Sequence, residues 1–213
     1  MKNILIIANG DNNLELGDIT SIFPVDLVIC VDGGTSHAIN LGIYPDVIIG
    51  DLDSLSEDVI KILKDKKIEW KIYPKEKDET DLELGVKYAL KYNPEKISFI
   101  GLLGKRIDHT LANIFFLERI KDRGIEVEVI DKNIYITLLK GPEKKEFWGN
   151  LGGIISLIPL SDSVEGITLK GLKYTLNNEP LYRNLTRGIS NEFIEEKAII
   201  EIKSGTLIVI MLK

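Results

Sequence analysis

Five short segments in the first half of the chain each follow an apolar run, and each carries an acid. They are Asn9-Gly10-Asp11, Asp32-Gly33-Gly34, Gly50-Asp51-Leu52-Asp53-Ser54, the stretch from Lys75 to Asp81, and the stretch from Gly101 to His109. If the preceding runs are parallel strands, all five segments bring acids to one rim, because an open α/β sheet binds ligands outside the carboxyl ends of its strands. Carboxylates about 4 Å apart at an effective dielectric near 20 repel by roughly 4 kcal/mol per pair, so a cation belongs among them. Oxygen ligands without a Cys or His cluster point to Mg²⁺ rather than zinc, and Mg²⁺ commonly binds a few carboxylates together with substrate phosphates. Glycines 33, 34, 50, 101 and 104 let backbone N–H groups approach such phosphates, and Lys105 and Arg106 offset developing negative charge. The chemistry expected is transfer of a phosphorylated group from Mg²⁺-ATP to a small-molecule hydroxyl.

Taken singly, the motifs differ in weight. Asp32-Gly33-Gly34 serves equally well as a turn. Asp51 and Asp53, at i and i+2 directly after an apolar strand, exceed what one cap needs and favour a metal site. Asp78 and Asp81 read equally as a solvated helix start. His109 follows Asp108 at a helix start, where a capping or packing role outweighs a catalytic one. The mixed-sign runs Lys64-Asp65-Lys66-Lys67 and Glu143-Lys144-Lys145-Glu146 read as solvated surface near turns.

The elements that must position these residues follow from periodicity. β-branched runs at 3–8, 26–31, 46–49, 68–73, 96–100 and 126–130 alternate with helical spacing at 35–41, 57–64, 81–91 and 108–121, which predicts a parallel sheet covered by helices. Ser56 and Thr80 suit N-caps, and Gly42 and Gly124 suit C-terminal turns. From about Ile134 the period becomes two, in runs such as 153–158, 197–202 and 206–211 separated by Gly, Pro, Asn and Ser, which predicts an antiparallel sandwich. Residues 131–133 form the linker, so the domains expected are 1–133 and 134–213.

Totals narrow the partners. A net charge of −6 and a pI near 5.1 argue against nucleic acid, whose phosphate backbone calls for concentrated Lys and Arg. The one cysteine, Cys30, sits in an apolar run and reads as a core residue of a protein in a reducing compartment. Neither terminus resembles a sorting signal and no membrane-spanning stretch occurs, so the expectation is a soluble cytoplasmic protein.

Six motifs in order carry a family resemblance: DGG at 32–34, GDLDS at 50–54, KDETD at 77–81, RIDHTLANI at 106–114, GLKYTL at 171–176 and RGISNEF at 187–193. Together they resemble thiamin pyrophosphokinase (thiamin diphosphokinase) over nearly the whole chain. The resemblance implies a Rossmann-like α/β domain that binds ATP, a C-terminal β-sandwich, and a homodimer with thiamin sites where the subunits meet. It implies transfer of the β,γ-diphosphoryl group of ATP to the hydroxyethyl oxygen of thiamin, releasing AMP. By position, Asp51, Asp53 and Asp81 hold Mg²⁺ and the polyphosphate, with Asp32 and Asp78 close by. Separately from the resemblance, the mechanism expected of such a site has an Asp such as Asp81 or Asp78 accept the hydroxyl proton, although a carboxylate of ordinary pKa is a weak base for an alcohol. Gly33, Gly34, Gly104, Lys105, Arg106, Asp108, His109 and Asn113 belong to the ATP side, and Tyr174, Ser190 and Asn191 to the thiamin side. Tyr174 suits stacking on a cationic heterocycle, and Ser190 and Asn191 suit an aminopyrimidine edge, although Gly188 to Asn191 read equally as an Asx-type turn. Two positions depart from the family: Lys105 stands where many members have glycine, and Thr175 where proline often follows the aromatic residue. The alternatives are a diphosphokinase for another alcohol, such as a pterin, and a nucleotide-binding module without catalysis.

Overall fold

A computed structural model describes residues 2–11, 14–51, 55–64, 66–74 and 76–212, with the side chains of Leu16 and Ser21 also outside the description. Packing divides the chain into two units, Met1–Ile114 with Val127–Lys132 and Phe115–Glu126 with Asn133–Lys213.

The first unit is built on strands β1 (Asn3–Ile7), β2 (Leu27–Val31), β3 (Val47–Gly50), β4 (Glu69–Ile72), β5 (Lys96–Ile100) and β6 (Glu126–Asp131). Their order is β6-β5-β1-β2-β3-β4. β1 pairs in parallel with β2 and β5, β2 with β3, and β3 with β4. Parallel strands are covered on both faces, so they read as continuous apolar runs, and Ile4, Leu5, Ile6 and Ile7 are all buried. Each such side chain contributes about 1.5–3 kcal/mol on burial. Helices α1 (Gly34–Asn40), α2 (Glu57–Leu63), α3 (Asp81–Leu90) and α4 (Ile107–Lys121) complete the pattern. Ser56 Oγ accepts from the Val59 N–H at 3.4 Å and Thr80 Oγ1 from the Glu83 N–H at 3.2 Å, so both predicted N-caps form. Cys30 is buried, and burial pushes its thiol pKa far up, as an inert core residue requires.

A short 3₁₀ helix over Leu16–Ile22 has no counterpart in the sequence reading. Its buried residues, Ile19 and Ile22, are spaced three apart, which suits three residues per turn but is too brief to register as a period.

The second unit contains β7 (Ile134–Lys140), β8 (Glu143–Trp148), β9 (Ile154–Pro159), β10 (Ser163–Lys170), β11 (Asn177–Tyr182), β12 (Asn191–Glu192), β13 (Lys197–Ile202) and β14 (Thr206–Leu212). They form antiparallel arrays β12-β9-β14-β7 and β11-β10-β13-β8. One core joins Leu139, Ile155, Leu157, Leu207 and Val209 of the first array to Phe147, Val164, Ile167, Leu169, Ala198 and Ile200 of the second. This is the predicted sandwich.

The run at 143–146, read as solvated surface near turns, belongs to strand β8: Lys144 and Glu146 are exposed, whereas Glu143 and Lys145 are only partly so. Glu143 and Lys145 share a face with buried Phe147. Lys121, 8 % exposed, reaches Glu143 at 3.1 Å and Glu126 at 3.3 Å, and Lys145 reaches Glu126 at 2.6 Å. Charge at inward positions hid the strand from a hydrophobicity pattern, and mutual pairing is what makes its burial tolerable. Among the described residues no helix is long and apolar enough to cross a membrane.

Candidate active site

The chain proceeds from β1 through β2 and β3 to β4 on one side, then places β5 on the other side of β1. That reversal opens a crevice at the strand carboxyl ends. A cleft of about 580 Å³ lies there, lined by Ala8 to Asp11 after β1, Asp32 after β2, Asp51 after β3, Lys77 and Glu79 to Leu82 after β4, Gly101 to Arg106 after β5, and His109, Thr110 and Asn113 of α4.

Backbone bonds zip the two loops flanking the reversal. The Ala8, Gly10 and Asp11 N–H groups donate to the carbonyls of Ile100, Gly101 and Leu103 at 2.8, 2.7 and 2.8 Å. His37 Nε2 lies 2.9 Å from the Gly10 carbonyl, so it carries the proton and donates. Thr110 Oγ1 accepts from the Gly104 N–H and donates to the Gly104 carbonyl, both at 3.2 Å, and Asn113 Nδ2 donates to Leu102 O at 3.1 Å. The sequence reading assigned no role to His37 or Thr110. Thr110, four residues after Arg106 inside the quoted motif, was the more accessible signal.

Asp32, Asp51 and Asp81 converge. Asp32 sits at φ +49°, a left-handed conformation that Asp tolerates at a cost of order 1 kcal/mol. That turn directs its carboxyl over β3, where a Cβ on Gly50 would lie 2.5 Å from Asp32 Oδ1, and Gly50 itself has φ +149°. Glycine at 50 therefore permits the approach. Burial, the charge of Asp81 and a hydrogen bond with it, and the charge of Asp51 raise the Asp32 pKa to about 7, against the opposing charge of Lys77. Lys77 Nζ lies 2.8 Å from Asp81 Oδ1 as an ion pair. That oxygen is buried and no hydrogen bond satisfies it. Among the described residues no three His, Cys, Asp or Glu side chains are grouped to hold a metal by themselves. An orphaned carboxylate oxygen beside two further acids nevertheless fits Mg²⁺, which takes a few carboxylates and fills its remaining positions with phosphate and water.

The raised Asp32 pKa has a stability consequence. The native state holds this proton up to about pH 7, whereas an unfolded Asp loses it near pH 4. Stability of the metal-free protein therefore falls as pH rises through that window, and the full cost is present above it. Asp32→Asn is expected to match wild type at pH 4 and exceed it by roughly 1–2 kcal/mol at pH 8, after discounting for partial solvent screening. Urea unfolding in EDTA at both pH values measures this; a variant less stable than wild type at pH 8 contradicts it.

Other predicted site residues fall elsewhere. Gly33 and Gly34 do not line the cleft: a Cβ on Gly33 would meet Asn9 Oδ1 at 2.1 Å and one on Gly34 the Ile7 carbonyl at 2.1 Å, so they seat α1 against β1. Asp78 is exposed and lies outside the lining. Asp108 is also outside it. Its Oδ1 and Oδ2 accept from Arg106 Nε at 3.0 Å and Nη2 at 2.6 Å, and this pairing holds its carboxyl far below the usual range. Asp53 falls outside the described residues.

In the second unit, Tyr174, Ser190 and Asn191 form one locality. Asn191, 3 % exposed, accepts at Oδ1 from the Tyr174 N–H at 2.9 Å and donates from Nδ2 to the Tyr174 carbonyl at 2.7 Å. Oδ1 also accepts from the Glu192 N–H at 2.9 Å. The amide thus clamps the backbone of Tyr174, whose own side chain is 59 % exposed. Ser190 has φ +56° and its N–H donates to Ser156 Oγ at 3.0 Å, as in a turn.

Comparison with known proteins agrees with both units. Residues 21–129 match the family model "Thiamin pyrophosphokinase, catalytic domain" and residues 141–207 match "Thiamin pyrophosphokinase, vitamin B1 binding domain". The chain is 35 % identical over 211 residues to a thiamine pyrophosphokinase of Bacillus subtilis (strain 168), covering 99 % of this chain and 98 % of that protein. A crystal structure of thiamine pyrophosphokinase from Bacillus subtilis superposes with a TM-score of 0.89 at 34 % identity, over 100 % of this chain and 99 % of that one. One from Geobacillus thermodenitrificans gives 0.84 at 30 % identity, over 99 % and 97 %. With an acid-lined cleft at the strand ends and matches across both halves, the chain belongs to the thiamin pyrophosphokinase family of transferases.

Proposed function

We propose that this chain transfers the β,γ-diphosphoryl group of ATP to the hydroxyethyl oxygen of thiamin, releasing AMP, as a cytoplasmic homodimer with thiamin sites where the subunits meet. The observation that carries the reading is the convergence of Asp32, Asp51 and Asp81 on a cleft whose opposite wall is the basic, glycine-bearing segment from Gly101 to Arg106. Asp51 and Asp81, together with Asp53, would hold Mg²⁺. When bound, that ion neutralises polyphosphate oxygens and orients the phosphorus under attack. The backbone at 101–104, stiffened by Thr110 and Asn113, cradles the polyphosphate, and Lys105 and Arg106 meet its charge. The hydroxyl oxygen of thiamin forms a bond to the β-phosphorus as the bond from that phosphorus to the oxygen bridging the α-phosphorus breaks. AMP departs with that oxygen, and the hydroxyl proton passes to the carboxylate of Asp32, which lines the same cleft. Positioning and charge neutralisation supply most of the rate.

On the acceptor side, the exposed ring of Tyr174 offers a stacking face, and Asn191 acts through Tyr174 by fixing its backbone. Trp148, Leu151, Ile189 and Ile194 of the same unit are also exposed, which supports burial against a second subunit; a sedimentation mass of a dimer tests this. Tyr174→Ala is expected to raise the thiamin KM about tenfold with little change in the ATP KM. Asn191→Ala should do the same, and the double variant should be no worse than either single one. Additive losses would separate the two residues, and a raised ATP KM would contradict the assignment.

The decisive assay combines thiamin, ATP and Mg²⁺ and reads both products. AMP and thiamin diphosphate in equal amounts are expected. ADP in place of AMP would mean transfer of a single phosphoryl group, and ATP binding without turnover would mean a binding module.

A further inference from the structure

Lys77 is a basic side chain set inside the acid cluster. It leaves the chain four residues before Asp81, ahead of α3, and its Nζ lies 2.8 Å from Asp81 Oδ1 with 16 % of the lysine and 19 % of the aspartate side chain exposed. The same ammonium donates to the Pro74 carbonyl at 3.1 Å. Its charge also opposes the upward push on the Asp32 carboxyl. Asp81 Oδ1 is buried and makes no hydrogen bond of proper geometry, so the lysine balances its charge without satisfying it. Among the other cations lining the cleft, Lys105 is exposed and Arg106 is paired with Asp108.

Resting on the functional reading above, we propose that Lys77 is a built-in counter-ion: it holds Asp81 in the metal-free enzyme, yields that oxygen to the divalent cation, and turns its ammonium to the polyphosphate. An ammonium and a divalent ion compete for one oxygen, because their charges repel within a few ångströms. A lysine can give way, since its charge sits on a flexible four-carbon stem. Until then its charge offsets that of Asp81 and lowers the cost of ionising Asp32 beside it. Once displaced, it remains on the wall of the same cleft, where phosphate oxygens are the natural partners.

The two roles predict changes of opposite sign. Calorimetric titration of Mg²⁺ alone into ATP-free protein should show Lys77→Gln binding about tenfold more tightly than wild type, with Lys77→Arg within about threefold. Metal-free Lys77→Gln should unfold at a lower temperature than wild type, and saturating Mg²⁺ should close the gap. With ATP and thiamin present, its kcat should fall at least about tenfold while Lys77→Arg keeps most of its turnover. A merely structural lysine would weaken metal binding and turnover together, and one that only meets phosphate would lower turnover with Mg²⁺ binding unchanged. Either result overturns the proposal, as does Mg²⁺ binding detectable in neither protein. The functional reading fails on a different observation, a wild-type enzyme that releases no AMP, which leaves the metal titrations intact.

Discussion

Asp81→Asn is expected to lower turnover about 10³-fold, roughly 4 kcal/mol of transition-state stabilisation, while leaving the metal-free protein folded. Asp81 combines a buried, unsatisfied oxygen with a hydrogen bond to Asp32 and an ion pair with Lys77. An amide retains the shape and one acceptor but no negative charge, so it is a poor ligand for a hard cation. In stability the effects oppose: repulsion with Asp32 is relieved and the Lys77 pair is lost. The net change at pH 8 should be within about 1 kcal/mol. The rate of AMP release and the unfolding midpoint in EDTA together check it. Turnover within tenfold of wild type would remove Asp81 from the centre of the site, and a collapsed fold would make its role structural.

The largest effect on stability is expected from Gly34→Ala. The added methyl would sit 2.1 Å from the Ile7 carbonyl oxygen. Ile7 lies in β1, paired on both sides by β2 and β5, so neither backbone can retreat cheaply. Overpacking of this kind costs about 3 kcal/mol, a fall of roughly 6–12 °C in the midpoint for a chain of this size. Activity should fall with it, because α1 follows directly on Asp32 and its displacement moves that carboxyl. Gly17→Ala is the control: nothing lies within 4 Å of its Cβ, and its midpoint should stay within about 2 °C of wild type. If Gly34→Ala matched the control, the glycine at 34 would have to be explained by ligand approach instead.

These two cases divide what the residues announce from what they conceal. Asp81 taken singly read equally as a solvated helix start behind the Thr80 cap, and the family motifs are what placed it in the site. Gly34 was legible as a glycine near a presumed phosphate, but the contact that requires it is with Ile7, and that depends on how closely α1 packs on β1. Lys77 was visible only as part of a motif, since nothing in a one-dimensional pattern says whether a lysine four residues before an acid turns inward. Asn191 read as a donor and acceptor for a ligand, and its amide is instead occupied by the backbone of Tyr174. β8 was lost because its inward positions carry charge that only Lys121 and Glu126, distant in sequence, neutralise.

By itself the sequence determined the alternation of strand and helix, the change of period near Ile134, the capped starts of α2 and α3 and the acids following each parallel strand. All of these are local consequences of side-chain shape, apolar spacing and backbone hydrogen bonding. Tertiary structure alone decided which acids share a cleft, which glycines serve packing, and that Lys77 lies against Asp81. Those outcomes depend on strand order and on the reversal between β1 and β5, which bring together residues that no spacing along the chain relates.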